Sequence, residues 1–178
     1  MSQRTFRNPR TGETITFLKT ARETGGELFC MDYTMAPRAA IADEHCHPYQ
    51  EMRIEVKSGA LTCRVDGREH VLRAGESMTI PAGAWHFQCN QTDAEVHAIE
   101  EYRPALEMED FFRVLIGWAN DGKTNPAGMP SPLRAAVLHR YFKRSIRSSS
   151  SWRNIVSVLL APLGVMAGYR RELLQYLA

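Results

Sequence analysis

The sequence lacks an excess of charge of either sign: 22 lysines and arginines stand against 20 aspartates and glutamates, a formal net charge of +2 over 178 residues. No long-range field gathers nucleic acid or an acidic partner, and no nucleic-acid partner is expected. Cysteine is sparse as well. Cys30, Cys46, Cys63 and Cys89 form no Cys-x-x-Cys pair and lie scattered among strand-like segments, which reads as buried, reduced thiols in a cytoplasmic protein. The N-terminal MSQRTFRNPRTGETITF has no apolar run behind its basic residues, so export is not expected. A membrane span is excluded too: the apolar stretch from Ile155 to Gly168 falls short of the roughly 18–20 residues a spanning helix needs, and Pro162 and Gly164 interrupt it. No internal repeat is present.

What the chain does have is a change of period near Pro104. Before it run short segments rich in β-branched and aromatic residues, TITFLKT, ELFCMDYTM, MRIEVKS, ALTCRVDG, REHVLRAG and EVHAIEEYR, bounded by Gly, Pro or Asp-Gly turns. Such spacing predicts a sandwich or barrel. Asp66-Gly67, between LTCRV and REHVL, predicts a tight hairpin. After Pro104, Leu106, Phe111, Leu115 and Trp118 form an apolar stripe in LEMEDFFRVLIGWAN, a predicted helix that covers one barrel face. DGKTNPAGMPSP reads as a surface loop, LRAAVLHRYFKRSIR as a basic amphipathic helix, and Ser148 to Ser151 as a flexible connector. With 44% hydrophobic residues, one core is expected: a β-barrel over residues 1–103, its core from about residue 14, and a helical extension over 104–178 packed on it. The apolar tail and the sheet edges need cover, which predicts a homodimer. Contact of the basic tail helices with a membrane surface is the lesser alternative.

The chemistry lies in two stretches, HCHPYQEM (45–52) and GESMTIPAGAWHFQCN (75–90). Residues two apart on a strand share a face, so His45 and His47 project together while Cys46 points away. If His86 lies on a strand across the barrel it supplies a third imidazole, and three neutral imidazoles leave coordination positions open on a metal ion.

The second stretch follows G-x5-P-x-G-x2-H-x3-N at each fixed position, Gly75, Pro81, Gly83, His86 and Asn90, and the first carries H-x-H and Gly59. In these motifs the chain resembles the cupins, over roughly residues 39–90 with flanking strands to about Arg103. RPALEMEDFF and DGKTNPAGMP are similar to the tail of a group of small single-domain cupins. The resemblance implies a mainly β fold, a double-stranded β-helix or jelly-roll barrel with C-terminal helices. It also implies one divalent metal ion, Zn, Fe, Mn, Ni or Cu, on His45, His47 and His86. Two departures stand out. Ala39 replaces the opening glycine, and Met52 falls where the family places a metal-binding glutamate. Glu51, one residue earlier, serves as a ligand only if the loop after Pro48 differs from the common pattern or a bulge re-aims it.

Four further residues, Tyr49, Gln50, Met52 and Trp85, are candidates to line a substrate pocket, with Phe87 beside them. Ordinary barrel packing accounts for each singly. His97 and Glu101 share strand parity and form the candidate catalytic pair, a general base among them; Glu100 and Tyr102, of opposite parity, are the alternative. His70 and His139 are expected on the surface. The cupins it resembles include dioxygenases, isomerases, lyases and cyclases, which implies a small-molecule enzyme. A non-catalytic ligand-binding or regulatory module is the alternative.

Overall fold

Buried and outward side chains alternate along segments such as Glu51–Ser58 and Val96–Arg103, as expected of strands with one face on a core. In a computed structural model that describes residues 4–177, the first hundred residues form ten strands: β1 (Thr5–Arg7), β2 (Thr14–Lys19), β3 (Phe29–Met35), β4 (Ala40–Cys46), β5 (Glu51–Ser58), β6 (Ala60–Val65), β7 (Arg68–Arg73), β8 (Ser77–Ile80), β9 (His86–Cys89) and β10 (Val96–Arg103). The remainder holds α1 (Met108–Asn120), α2 (Pro132–Tyr141), β11 (Arg147–Ser148), α3 (Ser151–Met166) and α4 (Tyr169–Leu174). The outermost positions of the two ranges read from the sequence, 1–3 and 178, lie outside the described residues.

The strands make two antiparallel sheets, β1-β2-β3-β10-β5-β8 and β11-β4-β9-β6-β7. One core joins them, with Phe17, Phe29 and Tyr33 from the first sheet meeting Leu61 and Cys63 from the second. The architecture is mainly β, a two-sheet jelly roll with helices after it. At the β6–β7 hairpin Val65 pairs with Arg68, and Asp66 (φ 46°) and Gly67 (φ 79°) take the left-handed conformations that a two-residue turn requires.

Gly59, in the link from β5 to β6, is constrained twice. Its φ is +80°, and a Cβ there would lie 2.6 Å from the Glu95 carbonyl oxygen and 3.2 Å from the Val96 backbone. Gly59→Ala is expected to destabilise the fold by about 2 kcal/mol or more, because neither neighbour is a flexible side chain. Equilibrium denaturation measures it; an unchanged midpoint would contradict the close approach.

The tail is woven into this core. Met108, Phe111, Val114 and Trp118 of α1 and Phe142 after α2 belong to the same buried cluster as the strands. Two expectations for the tail are corrected. The basic helix does not reach Arg147: α2 ends at Tyr141, and the chain turns so that the Ser145 and Ile146 amides bond to the Phe142 carbonyl. Nor is the serine run a loose connector. Ser148 sits in β11, opposite His45 of β4, and the Ser150 hydroxyl caps α3 by accepting from the Arg153 amide. Pairing with an open sheet edge and capping a helix outweigh the flexible composition of the run. α3 packs on α2 where Gly164 lets the backbones close, since a Cβ there would meet Leu133 and Val137 within 3 Å.

Candidate metal centre

His45 is near the end of β4 and His47 just beyond it, so the two rings share a side of the strand. His86 opens β9 and is the direct cross-strand partner of His45. The third imidazole therefore comes from the adjoining strand of the same sheet, not from across the barrel as expected. An antiparallel register brings opposed side chains closest, and the ring centroids lie 4.4 Å (His45–His86), 5.0 Å (His47–His86) and 5.2 Å (His45–His47) apart.

Each Nδ1 faces a backbone carbonyl oxygen: Asp43 at 2.8 Å for His45, Ser145 at 2.6 Å for His47 and Ala84 at 3.0 Å for His86. A carbonyl only accepts, so each Nδ1 carries the proton and each Nε2 presents a lone pair. Burial lowers all three pKa values, that of His45 to about 3 and that of His47 well below the ordinary range, and the neighbouring imidazoles add to the shift at these two. The rings are neutral at neutral pH, the state that binds metal. The Nε2 atoms of His47 and His86 are buried and have no hydrogen-bond partner. Buried polar atoms are rarely left so, and ligand atoms of all three histidines lie within 4.8 Å of one another. These residues fit a divalent ion: three neutral nitrogen donors, each ring fixed by its own carbonyl.

His45 and His47 line a cavity of about 200 Å³ that runs between the sheets and the tail. Its wall is largely apolar, with Ile15, Met31, Met35, Met108, Phe111 and Leu138 among the lining residues; Gln88 and Tyr102 add polar groups and Glu13, Asp43, Glu44, Glu100 and Arg153 charged ones.

Residues 31–100 match the family model of the cupin domain. These residues form a cupin domain. No curated protein matches it. Among solved structures, an RmlC-like cupin from Shewanella frigidimarina is 23% identical over 60% of this chain and 89% of its own, with a TM-score of 0.51; that likeness shows the fold. A cupin-superfamily sugar phosphate isomerase from Silicibacter pomeroyi is 25% identical over 53% of this chain and 60% of its own, with a TM-score of 0.47. KdgF from Halomonas sp. is 15% identical over 56% of this chain and 84% of its own, with a TM-score of 0.49. This cupin thus spans less than two thirds of the Silicibacter pomeroyi protein.

Among the described residues no carboxylate joins the histidine cluster. Glu51 is exposed on the outer face of β5, while Met52 is buried with its sulfur 3.9 Å from Gln88 Nε2. No bulge re-aims Glu51, so its candidacy as a ligand is corrected: among the described residues the cluster of metal-ligating groups holds His45, His47 and His86. The proposed pocket is corrected as well. Tyr49 is exposed; Gln50 is buried but spends its amide on the Pro104 and Ala105 carbonyls at 2.9 and 2.8 Å, tying the tail to the barrel. Trp85 donates its backbone amide to Asp66 at the hairpin, and Phe87 lies under the Arg64 guanidinium. None of these four, nor Met52, is among the cavity-lining residues.

The candidate pair His97 and Glu101 is on the outer face of β10. His97 bonds to Asp32 at 2.7 Å and Glu101 to Arg103 at 3.1 Å. The even-numbered residues face inward, so the alternative pair occupies the interior: Tyr102 donates to Glu100 at 2.6 Å, and the Tyr102 ring meets His47 edge-on at 5.2 Å. Burial raises the Glu100 pKa, against the hydrogen bond from Tyr102, and its Oε1 has no partner. His70 is exposed, whereas His139, expected on the surface, lines the cavity. Gln88 was not among the sequence candidates. Its signal is parity with His86, since β9 buries 86 and 88 and turns 87 and 89 outward. It accepts from the Tyr33 hydroxyl at 3.1 Å.

Proposed function

We propose that this cupin is a metal-dependent enzyme for a small, largely apolar substrate that carries one oxygen-bearing group. The observation that carries the reading is the convergence of buried, unpartnered His47 and His86 Nε2 atoms beside His45, where His45 and His47 line a largely apolar cavity. A divalent ion held by His45, His47 and His86 would polarise an oxygen on the substrate or lower the pKa of a bound water. The apolar wall excludes bulk water and takes the rest of the substrate. Glu100 is the proton carrier: burial disfavours its charged form, so the carboxyl can take up a proton and return it, and the Tyr102 hydroxyl orients it. Because Met52 contributes no charge, an ion held by the three histidines would be zinc or copper in preference to the harder metals and would supply Lewis acidity. Hydrolytic, lyase, isomerase or cyclase chemistry is therefore preferred to oxygen activation.

The test is a screen of small carbonyl and carboxylate compounds on wild type and Glu100→Gln, both assayed for metal. Turnover by the wild type that Glu100→Gln loses while keeping its ion supports the reading. Recovery of an unchanged ligand from both proteins would favour a binding module instead, and a wild type that takes up no divalent ion would remove the proposal.

A pH dependence follows at the cavity wall. Burial, and secondarily the charge of Glu100, raise the pKa of Glu13 to about 7 from 4.5. Between those values the folded protein holds a proton that the unfolded chain has lost. The cost of ionising Glu13 is absent below this window and is added as pH rises through it. The three histidines act in the opposite sense, costing stability as pH falls below 6.5. Glu13→Gln is therefore expected to gain on the wild type in thermal midpoint as pH rises from 5 to 7; a constant difference would rule out the raised pKa.

A further inference from the structure

α3 leaves uncovered the face opposite its contact with α2. Trp152, Ile155, Val158, Leu159, Leu163 and Met166 are 53–83% exposed, at spacings that place them on one side of the helix. No charged residue occurs from Asn154 to Tyr169. A patch of this kind on an otherwise folded surface marks an interaction site. Charge identifies the occupant. Residues 132–178 hold eight lysines and arginines against one acidic residue, Glu172, so the first 131 residues carry a net charge of −5 and this segment +7. Arg134, Arg144 and Arg153 pair with Glu172, Glu107 and Asp43. Arg140, Lys143, Arg147, Arg170 and Arg171 are exposed and have no ion-pair partner among the described residues. Basic groups thus stand before and after α3 in the chain, and Trp152, the aromatic residue suited to a headgroup boundary, opens the apolar face. A second copy docked face to face through α3 would bring two segments of like charge together.

We propose that α3 is a docking helix for an anionic lipid surface: its apolar face enters the headgroup boundary, and Arg140, Lys143, Arg147, Arg170 and Arg171 meet the headgroups. The helix lies on the surface rather than across it, for among the described residues no helix is long and apolar enough to cross a membrane. Ser148 and Arg153, at the start of α3, also line the cavity, so the docking helix begins at the cavity wall.

The test is flotation of the full chain with phosphatidylcholine vesicles, with and without phosphatidylglycerol, at low and high salt. The wild type is expected to float with the anionic vesicles, to be released by salt, and to ignore pure phosphatidylcholine. The double variant Arg170→Glu/Arg171→Glu should lose about tenfold or more in binding. The double variant Ile155→Gln/Leu159→Gln should lose binding altogether while keeping the wild-type thermal midpoint and metal content, because both side chains face solvent. Equal flotation with neutral vesicles, or charge-reversed protein that floats as the wild type does, would overturn the electrostatic part. No flotation, with a wild-type dimer that Ile155→Gln/Leu159→Gln makes monomeric, would assign the face to a second copy instead.

Discussion

His47→Ala is expected to empty the metal centre. It removes one of three donors and the only one whose Nδ1 is tied to the helical tail, through the Ser145 carbonyl at 2.6 Å. Loss of groups that merely orient a ligand costs about 10–100-fold in metal affinity, so loss of the ligand itself should cost at least about a hundredfold. Glu51→Gln should leave the ion in place, since that side chain is exposed on the far face of β5. Met52→Glu, by contrast, introduces a carboxylate on the buried face and should strengthen binding of iron and manganese relative to zinc. Metal analysis of protein purified without chelator, followed by titration of the stripped protein, reads all three. Stability reports the same site: an ion at about a hundred times its dissociation constant contributes about 2.7 kcal/mol, or about 5–11 °C in thermal midpoint for a chain of this length. His47→Ala should show none of that gain. If Glu51→Gln loses the ion as completely as His47→Ala does, the register of β5 described here is wrong.

The parts of the molecule that were legible in the sequence are those fixed by local chemistry. Asp66-Gly67 specified its hairpin because few other dipeptides accept two positive φ angles, and Phe111, Leu115 and Trp118 specified α1 because no strand has that period, whereas Leu106, the first residue of the expected stripe, precedes the helix at φ 40°. His45, His47 and His86 were legible for a related reason: parity joins the first two, and the second motif carries the third. Parity also marks the limit. It separates Glu100 and Tyr102 from His97 and Glu101, yet each pair contains a carboxylate and a second group able to move a proton, so alternation left the inward face of β10 open. The choice is made by long-range pairing with β3 and β5, whose buried residues Met31 and Ile54 stand opposite Glu100. The same holds for Ser145 and β11. Two residues of strand inside an Arg-Ser-rich run have no period to read, and their structure comes from the open edge of β4, a hundred residues earlier in the chain.

Phe142→Ala is expected to lower stability and metal affinity together, because the tail and the metal centre are joined at this residue. Phe142 is fully buried and meets the Phe111 ring edge-on at 5.6 Å. Its carbonyl holds the turn that presents Ser145, whose own carbonyl accepts from His47 and whose hydroxyl donates to Glu107 at 2.6 Å. Truncating a buried phenylalanine costs about 3–5 kcal/mol, so the thermal midpoint should fall by about 6–20 °C. Loosening of the Ser145 carbonyl should weaken metal binding by about tenfold or more, the effect of losing a group that orients a ligand. Barrel and tail share one apolar cluster, and the transition should remain single. Calorimetry of the variant with and without added zinc separates the possibilities. One transition that moves as a whole, and that zinc raises less than in the wild type, is the expected result. A tail that melts alone at lower temperature, with metal still bound to an intact barrel, would show that residues 104–178 are a separate unit and that the link from Phe142 through Ser145 to His47 does not hold the centre.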